Sequence, residues 1–407
     1  MPIEITSLEE AGLYRPQIER LTAHLEHYVD AGKIPGFALL IVRDDAVALR
    51  HHYGMADPLN QTPIQDSTLY RIYSMTKPIT STALLTLVEA GLIDLNDEVG
   101  DYIPSFKNIN VLVGGSILEP LYRPATEPVR VWHLLTHTAG LTYGFHNQTI
   151  LDALYRQHVS EFSLPADITL EALVDRYAQL GLLFDPGTAW NYSVATDVVG
   201  RLIEVVSNTS LAQYLQETIF DPLQMTNTTF ELDSEQLERA GALFLRTESD
   251  GMQRLGGAVP ERRVAPVDLG GGGLYSTLDD YLRFALMLMH RGAFEGHRIL
   301  GPRTVDLMTT NHLPGGADAL DLCRYRPQPI DIPGEGFGLG VSVATNPTAA
   351  KNFTLDAEFG WGGMASTNFF IAPRDQLTVI FMTQLIPSSA YAFGHEIHRL
   401  LVPALTS

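Results

Sequence analysis

The 407-residue chain contains one cysteine, Cys323, so neither a disulfide framework nor a Cys-rich zinc site can organise it. Lysine is nearly as scarce: Lys33, Lys77, Lys107 and Lys351 are four among 27 basic residues, which makes any lysine in a special setting easy to single out. Charged residues make up only 18%, and no apolar run reaches the roughly 18 residues needed to span a bilayer. No basic stripe interrupts a net charge of −20, and the acidic residues are scattered, so binding of nucleic acid through phosphate neutralisation is not expected. The opening MPIEITSLEEAG has neither a basic n-region nor an apolar h-region, and the expected location is cytoplasmic. Two common hydrolase signatures are missing as well, G-x-S-x-G and H-E-x-x-H.

What is present is 45% apolar residues arranged in two styles. Near the start, Phe37 to Val42 and Ala46 to Tyr53 flank Arg43-Asp44-Asp45 like a hairpin. Near the end, Phe337 to Ala344, Ser366 to Ala372 and Leu377 to Thr383 read as strands, the last two joined by the turn sequence Pro373-Arg374-Asp375-Gln376. In the middle, Leu170 to Leu180, Val194 to Val206, Leu211 to Ile219 and Leu278 to Met289 carry apolar residues at helical spacing. Helices are also expected over Tyr14 to Ala31 and Ala392 to Leu401. The pattern predicts an α+β fold. Residues 1–90 and 290–407 would form a sheet domain from both chain ends, and 91–289 a mostly helical one.

Ser74-Met75-Thr76-Lys77 is an S-x-x-K, followed by Pro78 and the helical run Ile79 to Ala90. A serine where a strand-like segment meets a helix has its hydroxyl near the positive end of the helix dipole. Three residues on is nearly one turn, so Lys77 shares its face. A serine hydroxyl is a poor nucleophile until a neighbouring base takes its proton, and lysine is such a base once its pKa falls towards neutrality. Alone, the motif also reads as a helix N-cap followed by an exposed lysine.

Two further stretches add to it. Tyr192 lies in Trp190-Asn191-Tyr192-Ser193-Val194, after the turn Asp185-Pro186-Gly187 and before a helix. There it is either a packed core tyrosine or a phenol beside an ammonium, acting as a proton shuttle. Gly360-Trp361-Gly362-Gly363-Met364 leads into the strand Ala365 to Ala372. Glycines beside an edge strand allow close approach of a substrate, whose oxyanion the strand's free N–H groups could hold; the alternative is a β-bulge.

Arg71 to Thr80 resembles the nucleophile segment of family VIII carboxylesterases, within the class C β-lactamase and penicillin-binding-protein superfamily of serine hydrolases. The similarity continues through Leu134-Leu135-Thr136-His137-Thr138-Ala139-Gly140-Leu141, Trp190 to Asp197 and Gly270 to Thr277, and spans roughly residues 15 to 400. It implies a β-lactamase/transpeptidase-like fold, a central antiparallel sheet flanked by helices plus a helical domain, with the active site in the cleft between. It implies Ser74 as the acylated nucleophile, Lys77 and Tyr192 as the base system, and the Ser74 and Met364 N–H groups as the oxyanion hole. Trp361, Gly362, Gly363 and Tyr143 would contact substrate.

Two departures from the β-lactamase pattern point one way. The lactamase Y-x-N motif ends here in Val194, which cannot hydrogen-bond a lactam side-chain amide. The lactamase K-T-G or H-T-G is replaced by Trp361-Gly362-Gly363, and Lys351 is not followed by Thr-Gly. An aromatic residue in place of a cation favours a neutral apolar ester. The expected protein is a carboxylesterase for short-chain small-molecule esters, with no metal and no organic cofactor. An acyltransferase using the same acyl-enzyme, a weak β-lactamase or D-amino-acid peptidase, and a non-catalytic binding protein are the alternatives. Of the remaining features, His395 and His398 share a helix face and read as solvated, and His137 reads as structural, bonded to its loop backbone. The glycines 270–273 lack the G-K-[ST] of a phosphate loop and suggest close packing beside the cleft.

Overall fold

Eight consecutive buried residues, Gly36–Arg43, form strand β1. A strand with no polar alternation must be covered on both faces. Strand β2, Ala46–Asp57, pairs with it antiparallel across Asp44 and Asp45, whose φ values of 50° and 64° are those a two-residue hairpin turn needs. The computed structural model describes residues 4–160, 164–257, 260–326, 329–330 and 333–406. The other strands of the main sheet are β3 (Thr62–Pro63), β4 (Glu335–Phe337), β5 (Ser342–Ala344), β6 (Phe359–Gly362), β7 (Asn368–Ala372) and β8 (Leu377–Met382). Their order is β4-β5-β6-β7-β8-β1-β2-β3, with every pair antiparallel. Sequence-distant β1 and β8 therefore meet at the centre, with Leu39 opposite Phe381 and Leu40 opposite Ile380.

The two faces of β1 and β8 bury into separate cores. Phe37, Leu39, Ile41, Val379 and Phe381 pack under helix α1 (Arg15–Asp30) and helix α6 (Phe393–Leu401). Ala38, Leu40, Val42, Ile380 and Met382 join the larger core containing α2 (Thr76–Glu89), α3 (Leu170–Leu180), α4 (Ala195–Ser207) and α5 (Leu278–Met289). α2 is buried almost all round, as an internal helix without a polar face must be. Gly91, at φ 68°, follows its C-terminus. No helix of the described residues is long and apolar enough to cross a membrane.

Several sequence expectations need correction. Phe337 to Ala344 is not one strand: β4 and β5 flank a turn in which the Gly338 N–H donates to the Val341 carbonyl at 2.8 Å. Gly340, at φ 92°, lets the chain lie against α2, where a Cβ would meet Ser81 Oγ at 2.1 Å. Trp361 lies on a strand of its own, β6, between β5 and β7, and the strand that follows it starts at Asn368 rather than Ala365. Pairing with β5 reaches only Phe359 and Gly360, so Trp361 and Gly362 form a local edge inside the sheet. His398 is not a solvated side chain: it is half-buried, its Nε2 is 2.8 Å from Glu358, and its ring stacks on Phe370 at 4.1 Å. Among the described residues no cluster of three potential metal ligands exists.

Phe381, fully buried against Phe37 and Phe393, is the aromatic centre of the smaller core. Phe381→Ala is expected to cost about 3–5 kcal/mol, read from urea unfolding midpoints. A loss under about 1 kcal/mol would show that this core can collapse around the gap.

Candidate active site

The loop that presents Ser74 is pinned before and after. Tyr70–Arg71 pairs with Tyr275–Ser276, and the Ile72 N–H donates to the Leu274 carbonyl at 3.1 Å. Tyr73 then takes φ 43°, the left-handed region that a bulky residue enters only when its surroundings enforce it. A 3₁₀ turn, Tyr73–Met75, follows and runs into α2. Ser74 thus sits half-buried at the head of α2, with the wholly buried Lys77 one turn below it.

Lys77 Nζ is 3.2 Å from Ser74 Oγ, 3.0 Å from the Tyr143 hydroxyl and 2.6 Å from the Gly271 carbonyl oxygen, so its three N–H bonds have three acceptors. Tyr192 Oη lies 2.6 Å from Ser74 Oγ, and the lysine sits over the Tyr192 ring, 4.6 Å from its centroid. The three residues expected to form the base system and nucleophile are therefore in mutual contact. Tyr143, expected to contact substrate, touches Lys77 through its hydroxyl, and it stacks on the half-exposed Phe145.

The loop carrying Tyr192 is held by the stretch around His137. The Asn191 N–H donates to the His137 carbonyl at 3.0 Å, and the Asn191 amide donates to the Leu141 carbonyl at 2.9 Å. His146 Nε2 donates to the Tyr192 carbonyl at 2.7 Å. His137 itself differs from expectation: Nδ1 meets the Ser193 hydroxyl at 3.1 Å rather than the loop backbone, and its ring packs edge-on to Tyr192. Burial, with the Lys77 charge nearby, holds this imidazole well below its ordinary 6.5, so it is neutral at physiological pH.

Across the site, Trp361 is almost buried, with Nε1 3.4 Å from the Tyr192 hydroxyl and its ring against Phe337. Gly363, the next glycine after Gly362, has no room for a side chain, since a Cβ would meet the Ile72 carbonyl oxygen at 2.4 Å. This brings Met364 close to the Ser74 loop, and among the described residues its N–H donates to no protein acceptor.

Asp197, Gly271 and Tyr177 were not singled out as site residues by the sequence. Asp197, in the first turn of α4 and fully within the protein, accepts the Gly271 N–H at 2.7 Å and is 3.4 Å from the Tyr177 hydroxyl. Burial pushes its carboxyl up to about 6, against the opposing pull of the Gly271 N–H, the Lys77 charge and Tyr177. The available signals were an acidic residue in a helix's first turn, five residues after Tyr192, and the glycine run.

A family model described as Beta-lactamase matches residues 21–402. Acyltransferase mokF of Monascus pilosus is 30% identical over 369 residues, covering 85% of this chain and 86% of that protein. Esterase EstB of Burkholderia gladioli is 28% identical over 381 residues, covering 89% of each chain. Among solved structures, a mutant of simvastatin synthase from Aspergillus terreus superposes with a TM-score of 0.77 at 26% identity, covering 96% of this chain and 98% of that one.

Removing the Tyr143 oxygen leaves the buried lysine one acceptor short, a loss worth about 1–3 kcal/mol. Tyr143→Phe is accordingly expected to lower kcat for p-nitrophenyl acetate about tenfold or more while the protein stays folded. Wild-type turnover in this variant would show that the lysine does not depend on that phenol.

Proposed function

The chain belongs to the beta-lactamase family, and from that premise we propose that it is a serine carboxylesterase that cleaves short-chain esters through an acyl-enzyme on Ser74. The observation that carries this reading is one oxygen with two partners: Ser74 Oγ lies 2.6 Å from the Tyr192 hydroxyl and 3.2 Å from Lys77 Nζ. Two groups able to take a proton are thereby within hydrogen-bond reach of the nucleophile.

Ser74 Oγ attacks the ester carbonyl carbon as its proton passes to the Lys77–Tyr192 pair, which reacts in the form holding one proton fewer than an ammonium beside a phenol. The negative charge that develops on the carbonyl oxygen is met by the Ser74 and Met364 N–H groups. Collapse breaks the bond to the alkoxy oxygen, which leaves as the alcohol with the proton held by the pair. A water molecule then attacks the acyl-serine, gives its proton to the same pair, and releases the carboxylic acid as Ser74 is reprotonated. Each proton taken is returned, so the cycle closes without a metal or an organic cofactor.

The aromatic side chains beside the nucleophile, Tyr143, Tyr192, Trp361 and Phe337, favour a neutral apolar substrate over a carboxylate-bearing drug. A second reading has support of its own. Relatives carrying the names esterase and acyltransferase both align along most of the chain, and the two reactions differ only in whether water or another hydroxyl meets the acyl-serine.

Intact-mass spectrometry after brief incubation with a fluorophosphonate and with p-nitrophenyl acetate tests the acyl-enzyme. A single adduct on the wild type, absent from Ser74→Ala, with p-nitrophenol released catalytically, is the expected result; no adduct would sink the assignment. Lys77→Ala is expected to lower kcat at least about a hundredfold. Added short alcohols decide between the readings: ester product formed in preference to free acid would make the protein an acyltransferase. Trp361→Lys should lower turnover of neutral esters, and unchanged turnover would remove Trp361 from the substrate pocket.

A further inference from the structure

Lys77 takes its shortest contact, 2.6 Å, from a backbone carbonyl, that of Gly271. A carbonyl on a four-glycine stretch has no side chain of its own to fix it, so its position depends on what grips the backbone around it. Two helices do so. From α2, the Thr80 hydroxyl donates to the Gly270 carbonyl at 2.8 Å. From α4, Asp197 Oδ1 accepts the Gly271 N–H at 2.7 Å. The fit is close enough to exclude a side chain at Gly271, where a Cβ would meet Asp197 Oδ1 at 2.9 Å and the Tyr143 hydroxyl at 3.2 Å.

We propose that Asp197 is a positioning residue of the acyl-transfer site, fixing the Gly271 carbonyl on which Lys77 rests and supplying the negative charge that offsets the lysine where water does not reach. The proposal rests on the acyl-enzyme reading of Ser74 given above. Tyr192 lies five residues before Asp197, at the entry to α4. The loop that leads into α4 therefore carries the phenol that touches Ser74, and the first turn of α4 carries the carboxylate that steadies the lysine.

A purely structural acceptor for one N–H would not need a charge. The groups that face Asp197 are the Gly271 N–H, Lys77 from α2 and Tyr177 from α3. Its folded-state pKa, raised to about 6 by burial, lies above the ordinary 3.8 of an unfolded chain. A carboxyl raised in this sense favours the fold below the unfolded value, and that contribution is lost as pH rises through the folded one. At pH 8 the ionised carboxylate thus works against stability, so a neutral amide in its place should leave the protein at least as stable.

The test compares wild type, Asp197→Asn and Asp197→Glu at pH 8 by kcat and KM on p-nitrophenyl acetate, by the rate of fluorophosphonate labelling, and by thermal melting. The expected result for Asp197→Asn is an unchanged or higher Tm, KM within about twofold, and kcat and labelling rate lowered roughly thirtyfold. Asp197→Glu, which keeps the charge, should recover part of that loss. Turnover by Asp197→Asn within about twofold of wild type overturns the proposal. So does failure of Asp197→Asn to fold, or equal loss in both variants with a lowered Tm, because either marks a structural acceptor. Labelled wild type is the control: its absence would overturn the acyl-enzyme reading itself, whereas a labelled wild type with an equally fast Asp197→Asn overturns only the role of Asp197.

Discussion

Taking a lysine side chain wholly out of water is costly unless each of its protons finds an acceptor, and much of the site is arranged to meet that demand for Lys77. The acceptors come from three separate parts of the chain: Ser74 on the same turn, Tyr143 from the loop after His137, and the carbonyl of Gly271. Only Ser74 is near Lys77 in sequence, and no two of the acceptors are near one another. At Gly270 only a bare backbone fits between α2 and α4, and the His137 loop grips the Tyr192 segment while delivering Tyr143. The burial of one ammonium-bearing side chain thereby sets where three loops must lie.

The opposite wall obeys a different constraint. Trp361 and Gly362 sit on a strand whose outer neighbour stops short of them, leaving a stretch of edge inside an eight-stranded sheet. Exposed edges invite unwanted pairing, but this one faces the Ser74 loop, and Gly363 packs directly on the Ile72 carbonyl. The strained Tyr73 follows Ile72 directly and lies against Gly272 on its other side. Placing the nucleophile on a forced turn, between a helix start and a sheet edge, brings donors from two elements to one point.

Much of this was legible in the sequence where the information is local. The S-x-x-K spacing puts Lys77 beneath Ser74 because a helix repeats every 3.6 residues. The helices Leu170–Leu180 and Leu278–Met289 follow their apolar period. Information carried by contact was harder to see. Phe337 to Ala344 reads as one strand until Gly340 is found lying on α2. His398 reads as solvated until Glu358, some 40 residues away, is found against it. Asp197 stayed hidden for the same reason: it reaches the lysine through the backbone of a residue 74 positions later, and no spacing rule records such a link.

The pairing at the centre of the sheet has a consequence for how the molecule comes into being. β1 finds β2 across a two-residue turn, but its other partner, β8, begins at Leu377. At the roughly 5–20 residues per second of ribosomal synthesis, Leu39 and Ile41 would wait on the order of 20–60 s for the strand that covers them. Throughout that interval the hairpin presents an unpaired, uninterrupted apolar edge. The same sheet that holds the finished site steady makes the nascent chain a client for whatever shields such surfaces, and a slow folder by topology.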